Sequence, residues 1–250
     1  MDSVLEIVGL IFIGFVAGAV NTIAGGGSLL TLPLLIFLGL PPAVANGTNR
    51  IAILFQNIFT TAGFKSKGII TFPFSIYVGI SALLGSIIGA QIAVDIKGDT
   101  FNKILAVVMV LVVGYMVFKS KIKQLNDLER TSGKHLWLSI LIFFFVGIYG
   151  GFIQAGVGFI ILLVLSSVNN LSLVKSNAVK VTIVLIYTIS AVAIFAYNDK
   201  IDWKMGLILA IGNAAGGWFA SRWSVKKGDG MVRKFLIVAV IVMAIKLWFF

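Results

Sequence analysis

Apolar runs recur along this chain from one end to the other, most of them about the length that crosses a lipid bilayer. Ten such segments can be drawn, at residues 4–20, 29–40, 43–64, 72–93, 101–118, 135–153, 159–168, 173–197, 203–220 and 231–248. A hydrocarbon core about 30 Å thick takes ~20 mostly apolar residues in a helix. Inside it, lipid offers no partner to open backbone groups, so each segment is expected to be helical. The alternative of a large soluble core fails on composition. With 59% hydrophobic and only 12% charged residues, too little polar side chain is available to cover a water-facing surface. The expected fold class is therefore an all-α polytopic membrane protein. No cleavable signal peptide is expected, because residues 4–20 lack a basic leader and run directly into more apolar sequence.

One long polar stretch, residues 119–134, divides the chain into halves of five segments each, and the halves repeat. Residues 14–21 (Gly-Phe-Val-Ala-Gly-Ala-Val-Asn) align with 147–154 (Gly-Ile-Tyr-Gly-Gly-Phe-Ile-Gln), and 24–27 (Ala-Gly-Gly-Gly) with 155–158 (Ala-Gly-Val-Gly). Asn46 and Asn49 fall on Asn177 and Lys180, and Gly85 and Gly89 on Gly212 and Gly216. Several matches in register argue for duplication. The organisation expected is a first membrane repeat at 1–118, a cytoplasmic linker at 119–134 and a second repeat at 135–250.

An odd number of spans per repeat makes the second copy inverted, and the charges agree. With 119–134 in the cytoplasm, the inner loops hold thirteen Lys and Arg residues and the outer loops and ends hold five. That is the bias of the positive-inside rule. Both termini are then outside. The same bias accounts for the net charge of +11 without nucleic acid, which is not an expected partner.

The segments at 29–40 and 159–168 are short for a span at ~1.5 Å per residue. Short or glycine-interrupted segments at matching places of inverted repeats point to a transporter site near the midplane, where broken helices offer free backbone groups. The interruptions run through Asn21, Gly25, Gly26, Gly27 and Ser28 in the first half, and Gln154, Gly156 and Gly158 in the second. Free N–H groups at a helix start suit an anion; tight helix packing is the competing use of these glycines. Asn46, Asn49, Arg50, Gln56 and Asn57 share one helical face, answered by Asn177, Lys180, Tyr187 and Thr188. Polar groups at such depth line a cavity or hold helices together, and Arg50 has the further option of snorkelling to an edge. Gly85 with Gly89 and Gly212 with Gly216 form GxxxG pairs, for which helix packing is the favoured use. No carboxylate falls in the centre of a segment, so a proton relay has no carrier and the sequence offers Arg50 and Lys180 no buried acidic residue. A substrate anion would supply the missing charge. The one His, at position 135, cannot build a multi-His metal site, and no cofactor is called for.

The 14–21 run, the Gly-Gly-Gly-Ser at 25–28, Pro33, the Ala-Asn-Gly-Thr-Asn at 45–49 and their second-half echo resemble the TauE/SafE family of sulfite exporters. The resemblance covers essentially the whole chain. It implies a multi-pass transporter of a bacterial or archaeal inner membrane, with two homologous halves, exporting sulfite or small organosulfur acids. The second half departs from the pattern: Gly47-Thr48 becomes Ala178-Val179, and the glycine-rich turn is shorter. The expected activity is a secondary carrier for a small oxyanion, with Asn21, Gln154 and the nearby glycine amides binding it and Lys180 and Arg50 offsetting its charge. An anion channel with the same lining and a structural membrane subunit are the alternatives. Expected partners are the anionic substrate and the bilayer, with a homodimer as one option for assembly.

Overall fold

The structure, a computed structural model, describes residues 4–69, 71–118 and 128–224; the tenth apolar segment, at 231–248, lies outside them. The described residues form helices α1 (Val4–Ala24), α2 (Ser28–Phe37), α3 (Pro42–Lys65), α4 (Phe74–Asp95), α5 (Gly98–Phe118), α6 (Gly133–Phe152), α7 (Val157–Ser167), α8 (Leu173–Tyr197) and α9 (Trp203–Ser224), with no strand among them. Local chemistry sets several ends. Pro42 opens α3, where its missing N–H costs nothing. Ser172 caps α8 by accepting from the amide of Lys175, and Asp202 caps α9 through the amide of Met205.

Among the described residues α1, α4, α6 and α8 are long and apolar enough to cross a membrane. Their surfaces are inside out relative to a water-soluble protein. Ile76, Ile80, Leu84, Ile88 and Ile92 form an exposed stripe along α4, while Asn46, Asn49, Arg50, Gln56 and Asn57 of α3 are all buried. Apolar outside and polar inside is the arrangement lipid selects. Helix α3 has 24 residues, length enough to span, and is less apolar because it carries this polar face, which turns inward. By contrast α2 and α7 have 10 and 11 residues, which at ~1.5 Å per residue span only about half the ~30 Å core.

Helices from the two sequence halves are interleaved. Helix α9 packs on α1 and α3, and α4 packs on α6 and α8. Glycines allow this closeness: a methyl group on Gly212 would lie 2.0 Å from the carbonyl oxygen of Ile11, and one on Gly85 would lie 2.0 Å from that of Phe144. Likewise Gly216 meets Phe15, and Gly89 meets Ile148. Both GxxxG pairs are therefore packing devices. Two bundles result, one of α1, α2, α3 and α9 and the other of α4, α6, α7 and α8. They meet along α3 and α8. There Phe64 packs with Ala178 and Val181 at one end, and Gly47 abuts Phe195 at the other, so the two helices run antiparallel.

Candidate functional site

Both sequence interruptions are helix breaks, and they touch. The chain leaves α1 at Gly25, whose φ of +84° is a left-handed conformation that favours glycine, and enters α2 at Ser28. The second break leaves α6 after Phe152 and turns at Gly156, with φ of +74°, into α7. A methyl group on Gly158 would fall 2.3 Å from Gly25 Cα and 2.6 Å from its carbonyl oxygen, so the two backbones cross in contact. The breaks are tighter than the interruptions read from sequence. Asn21 is in the last turn of α1, and Ser28 and Gly158 belong to the first turns of α2 and α7, leaving Gly25–Gly27 and 153–156 as the breaks themselves. Neither α2 nor α7 has a side-chain cap. The amides of Leu29 and Leu30 turn back to the carbonyls of Gly26 and Gly27, and that of Phe159 to the carbonyl of Gly156, so the opening donors are those of Gly26–Ser28 and Gly156–Gly158; the positive ends of both helix dipoles point into the crossing region.

Side chains beside the crossing pair up in a matching way. Asn21 Nδ2 donates to Gln56 Oε1 at 3.0 Å, and Gln154 Nε2 donates to the Tyr187 hydroxyl at 2.9 Å. Asn46 donates to the carbonyl of Phe152 at 2.8 Å, the last residue of α6, and Asn177 donates to that of Ile23 at 3.0 Å, in the last turn of α1. Thus Asn21, Asn46, Gln154 and Asn177 are brought together at the two breaks. Gln56 and Tyr187 complete the layer; both lie on the polar faces visible in the sequence, but only their partners mark them as central.

Arg50 and Lys180 are held differently from the sequence expectation. Arg50 is wholly buried, which removes the snorkelling option. Its Nη1 donates to Gly150 O at 3.0 Å and Gln154 Oε1 at 3.5 Å, and its Nη2 to Gly151 O at 2.5 Å and Asn46 Oδ1 at 3.4 Å. The guanidinium also lies 4.8 Å above the ring of Phe195. Lys180 Nζ donates to Asn21 O and Thr22 O, both at 2.9 Å, and to Asn177 Oδ1 at 2.7 Å. Each cation thus sits on the carbonyls that end a broken helix, the negative end of its dipole. Carbonyl dipoles supply the partial negative charge that the sequence left to a substrate. Every described carboxylate is exposed or half-buried, so the buried region stays net positive.

Asn49 Oδ1 accepts from Thr31 Oγ1 at 2.6 Å, which places Asn49 beside the first turn of α2. Its Nδ2 and the Nε of Arg50 are buried donors without a protein acceptor. A buried N–H left unpaired is costly, and these two, one beside the uncapped start of α2 and one against the end of α6, mark a place for an acceptor-rich ligand.

A helical bundle with a lipid-compatible exterior, a buried net-positive interior and two helix breaks in contact has the build of a membrane transporter. Comparison with known proteins assigns it more closely. The chain matches the sulfite exporter TauE/SafE family over residues 10–247 and belongs to it. It is 27% identical to a "Probable membrane transporter protein" of Haemophilus influenzae over 99% of this chain and 96% of the relative. It is 26% identical to the "Probable membrane transporter protein YfcA" of Escherichia coli K12, over 95% and 88%, and 21% identical to the "Probable membrane transporter protein YunE" of Bacillus subtilis, over 92% and 91%. No solved structure matches the chain.

Proposed function

We propose that this transporter exports a small oxyanion, of the sulfite or organosulfonate class, across a prokaryotic inner membrane by alternating access. The observation that carries this reading is the pair of unpartnered buried donors, Asn49 Nδ2 beside the uncapped start of α2 and Arg50 Nε against the end of α6, with no buried carboxylate among the described residues. Such a region rejects cations and offers N–H groups to an anion. The opening amides of Gly26–Ser28 and of Gly156–Gly158 would bind it, with Asn21 and Gln154 exchanging their present partners for it and Arg50 and Lys180 supplying the positive field; the Gly25 amide is held by the carbonyl of Asn21. The family name supports the sulfur oxyanion.

The two halves act here as inverted repeats. The packing is reciprocal: Gly14 and Gly18 of α1 meet Leu209 and Asn213 of α9, as Gly147 and Gly151 of α6 meet Ala82 and Ser86 of α4. Exchanging the halves maps one set of contacts onto the other. Orientation follows the positive-inside bias, with 119–134 cytoplasmic. The test is reconstitution in liposomes with a panel of sulfite, sulfate, thiosulfate, sulfoacetate and short carboxylates. Saturable counterflow of one of them supports the carrier, whereas unsaturable flux without counterflow makes the protein a channel. Inertness toward the whole panel removes the anion reading.

A further inference from the structure

Arg50 and Lys180 are the two buried side-chain cations among the described residues, and their bonds do more than neutralise them. An ammonium has three N–H groups, and those of Lys180 have the three acceptors given above. Four of the five guanidinium N–H groups of Arg50 are likewise bonded. Each cation crosses from one bundle to the other. Arg50 reaches from α3 to the last turn of α6, and Lys180 reaches from α8 to the last turn of α1. Asn46 and Asn177 cross beside them in the same directions.

These two crossings are at different depths. Since α3 and α8 run antiparallel, with Phe64 opposite Ala178 and Val181 and Gly47 opposite Phe195, Lys180 stands level with a point some twelve residues beyond Arg50 on α3, about 18 Å along the axis. The layer of Asn21, Gln56, Gln154 and Tyr187 lies between them. We propose that Arg50 and Lys180 are positioning residues that latch the two bundles at opposite ends of this layer, and that each latch is released in a different one of the two open states. This inference rests on the transporter reading. Separating the bundles at one end breaks the carbonyl bonds there, while the other latch holds and serves as the pivot. Packed interfaces of this kind switch between discrete arrangements rather than deforming evenly. With 119–134 cytoplasmic, Arg50 closes the outer end and Lys180 the inner.

The test uses the full chain, which contains no native Cys. Thr188 is buried on α8, one residue from Tyr187, and Thr188→Cys serves as the reporter. A membrane-impermeant thiol reagent is applied from either face of oriented vesicles, with no substrate present. Arg50→Gln should raise the labelling rate from outside at least tenfold and leave the inside rate within twofold; Lys180→Gln should do the reverse. Arg50→Lys and Lys180→Arg keep charge and donors and should return rates close to the parent. If a Gln variant does not fold, Asn46→Ala or Asn177→Ala, which removes one acceptor from the corresponding latch, is read in the same way. Exchanged sides support two latches and overturn the orientation. The latches are overturned if both Gln variants open the same side, if neither changes labelling, or if the charge-keeping variants fail to restore it. Absent flux with the side-specific pattern intact refutes the anion reading alone.

Discussion

Replacing Gly158 by Ala tests whether contact between the two breaks positions the site. Carbon atoms of unbonded groups sit ~3.5–4.0 Å apart, yet the added methyl would stand 2.3 Å from Gly25 Cα and 2.6 Å from Gly25 O. The neighbouring atoms are backbone, so no side chain can swing aside, and the two breaks must part by more than about 1 Å to reach that spacing. Overpacking of this kind costs ~1–3 kcal/mol. Gly158 has no positive φ, so the effect is steric and not conformational. Opening amides moved by about 1 Å lose their aim on a bound anion, and such displacements reduce rates by up to ~100-fold where geometry is critical. Purified Gly158→Ala should therefore melt at a lower temperature in detergent and carry anion at least about tenfold more slowly in proteoliposomes. Parental melting together with parental flux would show that the contact between the breaks does not position the site.

Asn21→Ala and Gln154→Ala should each weaken anion binding while leaving the protein folded. A hydrogen bond to a charged group is worth ~1.5–3 kcal/mol, at least about tenfold in affinity; equilibrium binding checks this, and unchanged affinity in both moves the site elsewhere. A cysteine introduced by Asn126→Cys should resist an impermeant reagent applied from outside intact cells, and its labelling there would contradict the inverted topology. Efflux should be electrogenic and should persist without proton or sodium gradients when a potassium–valinomycin clamp holds the interior negative. Each charge moved outward gains ~2.3 kcal/mol per 100 mV; flux that ignores voltage and collapses with the proton gradient defeats uncoupled export.

The architecture was legible because lipid leaves few options. Apolar run length placed the nine described helices, and the short runs at 29–40 and 159–168 correspond to α2 and α7. The polar faces of α3 and α8 were legible from spacing, and all of their members are buried. Partnership was not legible. Periodicity shows which side of a helix is polar, but not that Gln56 receives Asn21 or that Tyr187 receives Gln154 across helix boundaries. The roles of Arg50 and Lys180 were hidden for a related reason. A search for charge partners looks for carboxylates, and here the acceptors are main-chain carbonyls that every residue carries and the side-chain amides of Asn46, Gln154 and Asn177. The exchange of α4 and α9 between bundles also escaped, since a linear repeat reads as two adjacent units.

That exchange bears on how the protein is made. When the ribosome has delivered only the first half, the glycine faces of α1 at Gly14 and Gly18 and of α4 at Gly85 and Gly89 have no helix to receive them, because their partners, α9 and α6, are still to be synthesised. The nascent first half must wait in the bilayer with those grooves filled by lipid or by insertion machinery. Maturation is then a late docking event, in which arrival of the last described helix closes the first bundle. Two half-length polypeptides inserted separately would need each other before either could hold its own helices in place.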